Sequence, residues 1–239
     1  MGRFRPDASG SEVIGPSQRG SLPQVAIEEG PVECEIWVDD VGHRHDILNL
    51  VEKTAGDYWG ASGESILRGA VEAASDGHDL RGWYRYHLFG HHVSTYSKSR
   101  RKAPIYWQLA TRSSAYSVWL CFQRLTKDTF YKVLNDYVSP KLQHEERKLT
   151  GLVQGAGSSP SASQRREIAE EESFVEELRA FRDEVAGIAP FWSPDLNDGV
   201  IINFAPLWRL VPQHRAWQRE CQGCWESLVA GEYDWAHLQ

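Results

Sequence analysis

The residues of this sequence that are best suited to chemistry are cations and hydroxyls between positions 96 and 102. Lysine and arginine side chains neutralise phosphates, hydroxyls donate hydrogen bonds to phosphate oxygens, and aromatic faces stack on bases. The pattern therefore predicts contact with nucleic acid, although a basic run is also typical of a plain solvated loop. The candidate DNA-binding residues are Tyr96, Lys98, Ser99, Arg100, Arg101 and Lys102, together with Arg112 further along the chain.

The basic run lies within a longer stretch, residues 80–127, that contains no aspartate or glutamate. This acid-free stretch carries nine formal positive charges, whereas the whole chain is at −7, so the remainder of the chain carries −16. The stretch also holds ten aromatic residues, and the basic run leads directly into the segment Ala103-Pro-Ile-Tyr-Trp107. Charge is thus segregated along the sequence, which favours a basic surface that meets a polyanion.

Two cysteines and two histidines have spacings that also occur in metal sites. Cys221 and Cys224 form a Cys-x-x-Cys pair, but a structural zinc site needs four ligands and the other two cysteines stand apart in the sequence. His87 and His91 are four residues apart, without the glutamate that follows the first histidine in a metalloprotease helix. Helix packing explains the cysteine pair more simply, and we expect no metal site.

The sequence also allows the hypothesis of a metal-dependent nuclease, because Asp136, Glu146 and Lys148 imitate the spacing of the acidic and lysine residues of such an enzyme. Such enzymes gather these groups at strand ends around Mg²⁺, whereas the pattern here is helical. The sequence has no glycine-rich phosphate loop and no Gly-x-Ser-x-Gly nucleophile elbow. It also lacks a glycine-rich loop after its first predicted strand, which would bind S-adenosylmethionine. An Asn/Asp-Pro-Pro-Tyr/Phe segment, which would serve the methylation of a base, is absent as well. We therefore predict no catalytic residue in this chain.

The elements that must position the basic run follow from hydrophobic spacing and capping residues. A short strand is expected over residues 32–38. Three helices follow it: Asp46 and Ser62 can serve as N-caps of the first two, and the third begins at about Asp79. The third helix leads into the basic run and carries apolar residues and histidines at helical spacing, namely Leu80, Trp83, Tyr84, His87, Leu88 and His91.

Beyond the basic run, aromatic and β-branched residues at 105–109 and 116–122 predict a β-hairpin. Near the end of the chain, residues 200–204 are expected to be extended because they follow a turn and are mostly apolar and β-branched. A last helix is expected over residues 213–230, ending at Gly231.

Two long helices are predicted between these regions. The first should begin at Thr126 or Asp128 and break at Ser139, because Pro140 lacks an N–H and its ring clashes with the preceding turn. The second is expected over residues 164–189, and a Gly/Ser-rich loop before it predicts an antiparallel helical hairpin. Its spacing is that of a coiled coil, with a seam formed by Phe174, Leu178, Phe181, Val185 and Ile188.

These patterns assign the chain to the mainly α class (α+β), with a helical cluster, an aromatic β-hairpin and a long antiparallel helical hairpin. Residues 1–32, rich in Gly, Ser and Pro, are expected to be a disordered N-terminal arm. Residues 33–125 should hold the helical cluster, the basic loop and the β-hairpin, and residues 126–239 the helical hairpin and the C-terminal helix. The sequence has neither an apolar run for a membrane span nor a signal core, so we expect a cytoplasmic protein.

Several runs of the sequence look familiar when they are taken together. They are Tyr96-Ser-Lys-Ser-Arg-Arg-Lys-Ala-Pro-Ile-Tyr-Trp107, Tyr116-Ser-Val-Trp-Leu120, Asp128-Thr-Phe-Tyr131, Asn135-Asp-Tyr-Val138, Leu196-Asn-Asp-Gly-Val200 and Asn203-Phe-Ala-Pro-Leu207. In this order they resemble the C-terminal part of large bacterial adenine-N6 DNA methyltransferases. The nearest group is the PglX-type enzymes of BREX phage-defence systems, relatives of restriction–modification methylases. The resemblance covers roughly residues 38–239.

The resemblance implies a multidomain parent whose catalytic domain transfers a methyl group from S-adenosylmethionine to adenine N6. This chain is similar only to the region after catalysis, so no catalytic residue is carried over and the chain itself is expected to bind no cofactor. It would then be a fragment of such a parent, a split gene or a truncated reading frame. The implied function is DNA contact and scaffolding. The implied partners are double-stranded DNA and the catalytic domain or other defence-system subunits. The alternative is a protein-interaction module that docks on a partner subunit of the defence complex.

Overall fold

The computed structural model describes residues 36–74, 77, 79–96 and 104–232 of the chain. Helices account for most of these residues, and one three-stranded antiparallel sheet accompanies them. The predicted mainly α (α+β) class is therefore confirmed. Among the described helices, none combines the length and the apolar character that crossing a membrane requires.

The sheet contains the predicted β-hairpin and one further strand. Its strands are β1 (Ile36–Val38), β2 (Tyr106–Ala110) and β3 (Ser117–Cys121), in the order β1-β3-β2. Both pairs are antiparallel, and Trp107 of β2 lies opposite Leu120 of β3. Residues 32–35, which were predicted to begin the first strand, lie outside the described residues. The predicted β-hairpin is confirmed by the pairing of β2 with β3, and it follows the basic run in the chain.

The helical cluster stands between β1 and β2 in the chain. Its helices are α1 (Ile47–Trp59), α2 (Gly63–Ala74), α3 (Leu80–Trp83) and α4 (Phe89–Tyr96), with a π-helical segment (Tyr84–Leu88) between the last two. The Asp46 carboxylate accepts a hydrogen bond from the N–H of Leu48, and that of Asp79 from the N–H of Gly82. The predicted N-cap at Asp46 is thereby confirmed, and the third helix begins at about Asp79, as predicted. Ser62 is the last residue of a 3₁₀ turn (Gly60–Ser62), and α2 begins directly after it.

The long helical hairpin is present, but its first helix does not break at Ser139. That helix comprises α5 (Thr129–Lys132), a π-helical segment (Val133–Val138) and α6 (Ser139–Ala156). Ser139 has helical φ and ψ of −65° and −43°, so the predicted break is wrong. The reason is the π-helical segment: its wider turns contain residue 136, whose carbonyl the Pro140 ring would meet in a regular helix.

The second long helix is α7 (Ala162–Ile188), which begins with a capping box formed by Ser161 and Gln164. Along its predicted seam Leu178, Phe181 and Val185 are buried. Ion pairs from Lys148 to Glu171 and from Arg179 to Glu146 join it to α6. The later residue of α6 pairs with the earlier residue of α7, so the two helices run antiparallel.

Residues 200–204, predicted to be extended, instead form α8 (Val200–Phe204), and the prediction is wrong. The amide of Asn203 explains the difference, because it donates to the backbone carbonyls of Asp195 and Gly199 and closes the preceding turn. A helix also places Val200 and Phe204 on one buried face. A short 3₁₀ segment (Ala205–Leu210) then leads to the predicted last helix, α9 (Arg215–Val229).

One hydrophobic core joins the sheet to the helices on both sides of it in the chain. Trp107 of β2 stacks on Phe204 of α8 with ring centroids 4.7 Å apart and an interplanar angle of 4°. Phe130 of α5 stacks on Trp192 at 3.9 Å. The aromatic β2–β3 hairpin, which follows the basic run in the chain, therefore packs into the centre of this core.

Candidate nucleic-acid interface

The structure describes only part of the set of residues predicted to bind DNA. Tyr96 is the last residue of α4, although its side chain is not among those described. Arg112 lies in the turn between β2 and β3 with its side chain 83% exposed, and its Nε is 3.7 Å from Glu177 Oε1. The other candidates lie outside the described part of the chain, namely Lys98, Ser99, Arg100, Arg101 and Lys102.

The described residues on either side of the basic run are fixed to each other. The backbone N–H of Tyr106, the first residue of β2, donates to Nε2 of His92 in α4 at 3.1 Å. The two rings lie with their centroids 6.0 Å apart. Burial, with a smaller contribution from His91, lowers the pKa of His92, so its ring stays neutral and able to accept this bond near pH 7. The described elements on either side of the basic run, α4 and β2, are therefore held together.

Two of the nine cations in the acid-free stretch serve the fold instead. Arg81 donates to Asp39 and, at 2.6 Å, to Asp46, while Arg85 Nε donates to Asp39 at 2.8 Å. Both carboxylates are buried. Burial alone would lower the pKa of Arg81, but the hydrogen bonds to Asp46 and Asp39 raise it, so its charge is secure. These arginines are bound to carboxylates and are not available to a phosphate.

Three further cations of the stretch lie on the described surface. They are Arg112 in the hairpin turn, and Arg124 and Lys127 just after β3. All three have exposed side chains. The surface cations of the acid-free stretch therefore lie at both ends of β3.

The described aromatic residues of the stretch fall into a core set and a surface set, and two further rings, Tyr84 and Phe122, are partly buried against the core. The core set is buried and consists of Phe89, Trp107, Tyr116 and Trp119. The surface set consists of Trp83, which is half-buried, and Tyr86 and Tyr106, which are 46% and 41% exposed. The predicted stacking role is therefore open to a few rings only, because the core rings are covered by protein.

A groove of about 660 Å³ lies between α2 and the helix that runs from α3 to α4, and we call it the aromatic groove. One wall carries Trp83, Tyr86, His87 and His91, and α2 contributes Leu67 and Val71 opposite them. The helical spacing in the sequence indicates that the first four share a side of one helix. It does not indicate that α2 faces them across an open space, so the groove was missed.

A second feature with no local sequence signal is a buried carboxyl pair between α6 and α7. Lys141 Nζ lies 2.7 Å from Glu145 Oε1, and Lys148 contacts both Glu145 and Glu171. Burial would raise the pKa of Glu145, but hydrogen bonds with Lys141 and Glu171 lower it. For Glu171, burial and the interaction with Glu145 raise the pKa. Together they outweigh the hydrogen bond from Lys148, which lowers it. Through Lys148, which contacts both carboxylates, the pair ties the two long helices together.

The nuclease hypothesis is wrong in the light of these contacts. Lys148 is bound within the buried carboxyl pair, whereas Glu146 accepts hydrogen bonds from Arg179 on the exposed side of the hairpin. Asp136 is exposed more than two turns earlier, in the π-helical segment. The three side chains do not converge on a place where a metal ion could lie.

Within the described residues, no group of three or more His, Cys, Asp or Glu side chains could hold a metal ion. Cys221 is buried in α9, and burial raises the pKa of its thiol, as it does for the half-buried Cys224. Raised thiol pKa values oppose the thiolate form that a zinc ligand needs.

The residues present do not fit S-adenosylmethionine, the cofactor implied for the parent family. The described strands pair only in antiparallel fashion. The connection from β1 to α1, where a cofactor loop would follow the first strand, contains a single glycine, Gly42. No step of methyl transfer can therefore be assigned to the described side chains.

No protein-family model matches this sequence, and no curated protein matches it.

Proposed function

We propose that this chain is a DNA-contacting and scaffolding region of the kind that accompanies the catalytic domain of an adenine-N6 DNA methyltransferase in phage defence. The observation that carries the proposal is the run Lys98-Ser-Arg-Arg-Lys102 within an acid-free stretch of an acidic chain. Its described flanks, α4 and β2, are held together by the bond between His92 and Tyr106. A basic run presented from a fixed place is suited to follow a phosphate backbone.

Contacts of this kind position a duplex without reading its sequence. The surface cations Arg112, Arg124 and Lys127 add to the positive charge of the hairpin. Extrusion of the target adenine and methyl transfer belong, in this proposal, to the separate catalytic part of the parent enzyme. This chain contributes affinity and orientation and carries out no chemical step.

The proposal is tested by fluorescence anisotropy of the full chain with a labelled 30-base-pair duplex at low salt. Charge reversal in Arg100→Glu/Arg101→Glu should weaken binding at least about tenfold for every duplex sequence, because phosphate contacts are independent of sequence. The matched control is Arg165→Glu/Arg166→Glu, a second Arg-Arg pair, which lies at the exposed start of α7. This control should bind like the wild type, and equal losses in both variants would contradict the proposal.

A second candidate function is a protein-interaction module that docks on a partner subunit of the defence complex. The observation that favours it is the exposure of two apolar side chains after α7, Phe191 at 74% and Leu196 at 43%. Exposed apolar residues within polar surroundings are typical of protein interfaces. In the same titration, weak binding to DNA that does not depend on salt would favour this function over the first.

A further inference from the structure

The aromatic groove presents a fixed ring surface. The Trp83 ring packs edge-on against Tyr84, with centroids 5.4 Å apart at 77°, and lies 6.0 Å from the ring of His91. Tyr84 also packs against the core, and burial raises its pKa to about 12, so it stays neutral. The half-buried Trp83 is therefore supported from behind while part of its surface faces the groove.

The chemistry of the groove differs from that of the chain as a whole. The chain has 33 Asp and Glu residues, but none is among the described residues that line the groove. The polar groups that line the groove are the imidazoles of His87 and His91 and the hydroxyls of Tyr86 and Ser94, of which the Ser94 hydroxyl donates to the carbonyl of His91 at 2.8 Å. Across from them Leu67 and Val71 of α2 form an apolar wall. This lining suits a flat molecule with apolar faces, polar edges and no positive charge.

We propose that the aromatic groove binds a single unpaired nucleobase of the DNA that the chain holds, an inference that rests on the proposed function. The ring of Trp83 stacks on the base, and the imidazoles and hydroxyls meet its polar edge. The volume of about 660 Å³ lies within the range of small-molecule sites. A base within an intact duplex is covered by its neighbours on both faces, so the groove takes a bulged, extruded or single-stranded base.

The position of the groove in the chain supports the same occupant. Ser94 lines the groove and precedes Lys98, the first cation of the basic run, by four residues. A stacking site and a phosphate-binding run that follow each other in the chain can engage neighbouring parts of one strand. Stacking on an aromatic side chain tolerates any base, so the groove should add affinity without strong sequence preference.

The experiment compares two labelled 30-base-pair duplexes that differ only in one central bulged adenine. The wild-type chain should bind the bulged duplex about tenfold more tightly, the effect expected of one stacked base. Trp83→Ala should abolish this preference, so that this variant binds the two duplexes with equal affinity. Tyr86→Ala, which removes a half-exposed ring, tests the same groove if Trp83→Ala fails to fold. Tyr58→Ala is the control, because Tyr58 is about as exposed as Tyr86 and is not among the described residues that line the groove.

The outcomes separate this inference from the proposed function. Equal affinity of the wild type for both duplexes would overturn the nucleobase site while leaving the DNA-contacting function in place. Survival of the preference in both groove variants would also overturn the nucleobase site, and a protein segment would then be the better occupant of the groove. Binding to neither duplex would contradict both proposals.

Discussion

Arg81 joins the helical cluster to the end of strand β1. Its guanidinium binds Asp39, which directly follows β1, and Asp46, which caps α1. The end of a strand and the starts of two helices therefore meet at one cation. Asp39 and Asp46 are 4% and 2% exposed, so Arg81, together with Arg85, supplies the positive charge that compensates two buried carboxylates.

We expect Arg81→Met to destabilise the chain by about 3–5 kcal/mol, because it leaves buried carboxylates without a compensating charge. Urea unfolding followed by circular dichroism measures the change. Arg68→Met is the matched control, since Arg68 pairs with Glu64 on the surface with side chains 70% and 80% exposed. The control should lie within about 0.5 kcal/mol of the wild type. A similarly small effect in Arg81→Met would show that the cluster does not depend on this residue.

At the scale of elements, α2 forms the apolar wall of the aromatic groove. It is held in place mainly by its contact with α1. Gly63, its first residue, lies so close to α1 that an added Cβ would be 2.6 Å from the carbonyl oxygen of Ala55. Since that atom belongs to the backbone, the helices must separate to admit a methyl group. Gly63→Ala should therefore destabilise the α1–α2 contact by about 1–3 kcal/mol, seen as faster hydrogen exchange of the α2 amides.

Gly69→Ala provides the comparison for Gly63→Ala within the same helix. A Cβ at Gly69 would meet no described atom within 4 Å, and residue 69 is exposed. Alanine there should slow exchange in α2, because it restricts the unfolded chain and gains about 0.5–1 kcal/mol. If Gly63→Ala also slowed exchange, the close approach of α1 and α2 would be refuted.

The elements that sequence reasoning predicted well have a signal contained within a few residues. The cap at Asp46, the start of the third helix at about Asp79 and the apolar seam of α7 are of this kind. The extended prediction for residues 200–204 failed because a run of five residues, four of them apolar, fits a strand or a helix equally, and the decisive contacts of Asn203 lie outside the run. The helix through Pro140 was missed because local spacing does not show a π-helical turn.

At the scale of the whole molecule, segregation of charge was visible in the sequence, but the partners of individual charges were not. Lys141 donates to Asp40 at 2.6 Å across 101 positions of the chain, and Arg81 reaches back 42 positions to Asp39. Nothing local to these residues indicates such pairs. The sequence therefore predicted an excess of cations in residues 80–127, whereas the structure shows that Arg81 and Arg85 are bound to buried carboxylates and that Arg112, Arg124 and Lys127 are exposed.

The most direct test of the account is the salt dependence of duplex binding by the full chain. The logarithm of the association constant should fall with the logarithm of salt concentration with a slope of about −3 to −4, as about four phosphate contacts predict. Arg100→Ala/Arg101→Ala should reduce the size of that slope by about 2, and the control Arg165→Ala/Arg166→Ala should leave it unchanged. A slope near zero for the wild type, or the same slope in all three proteins, would contradict the claim that the basic run contacts DNA.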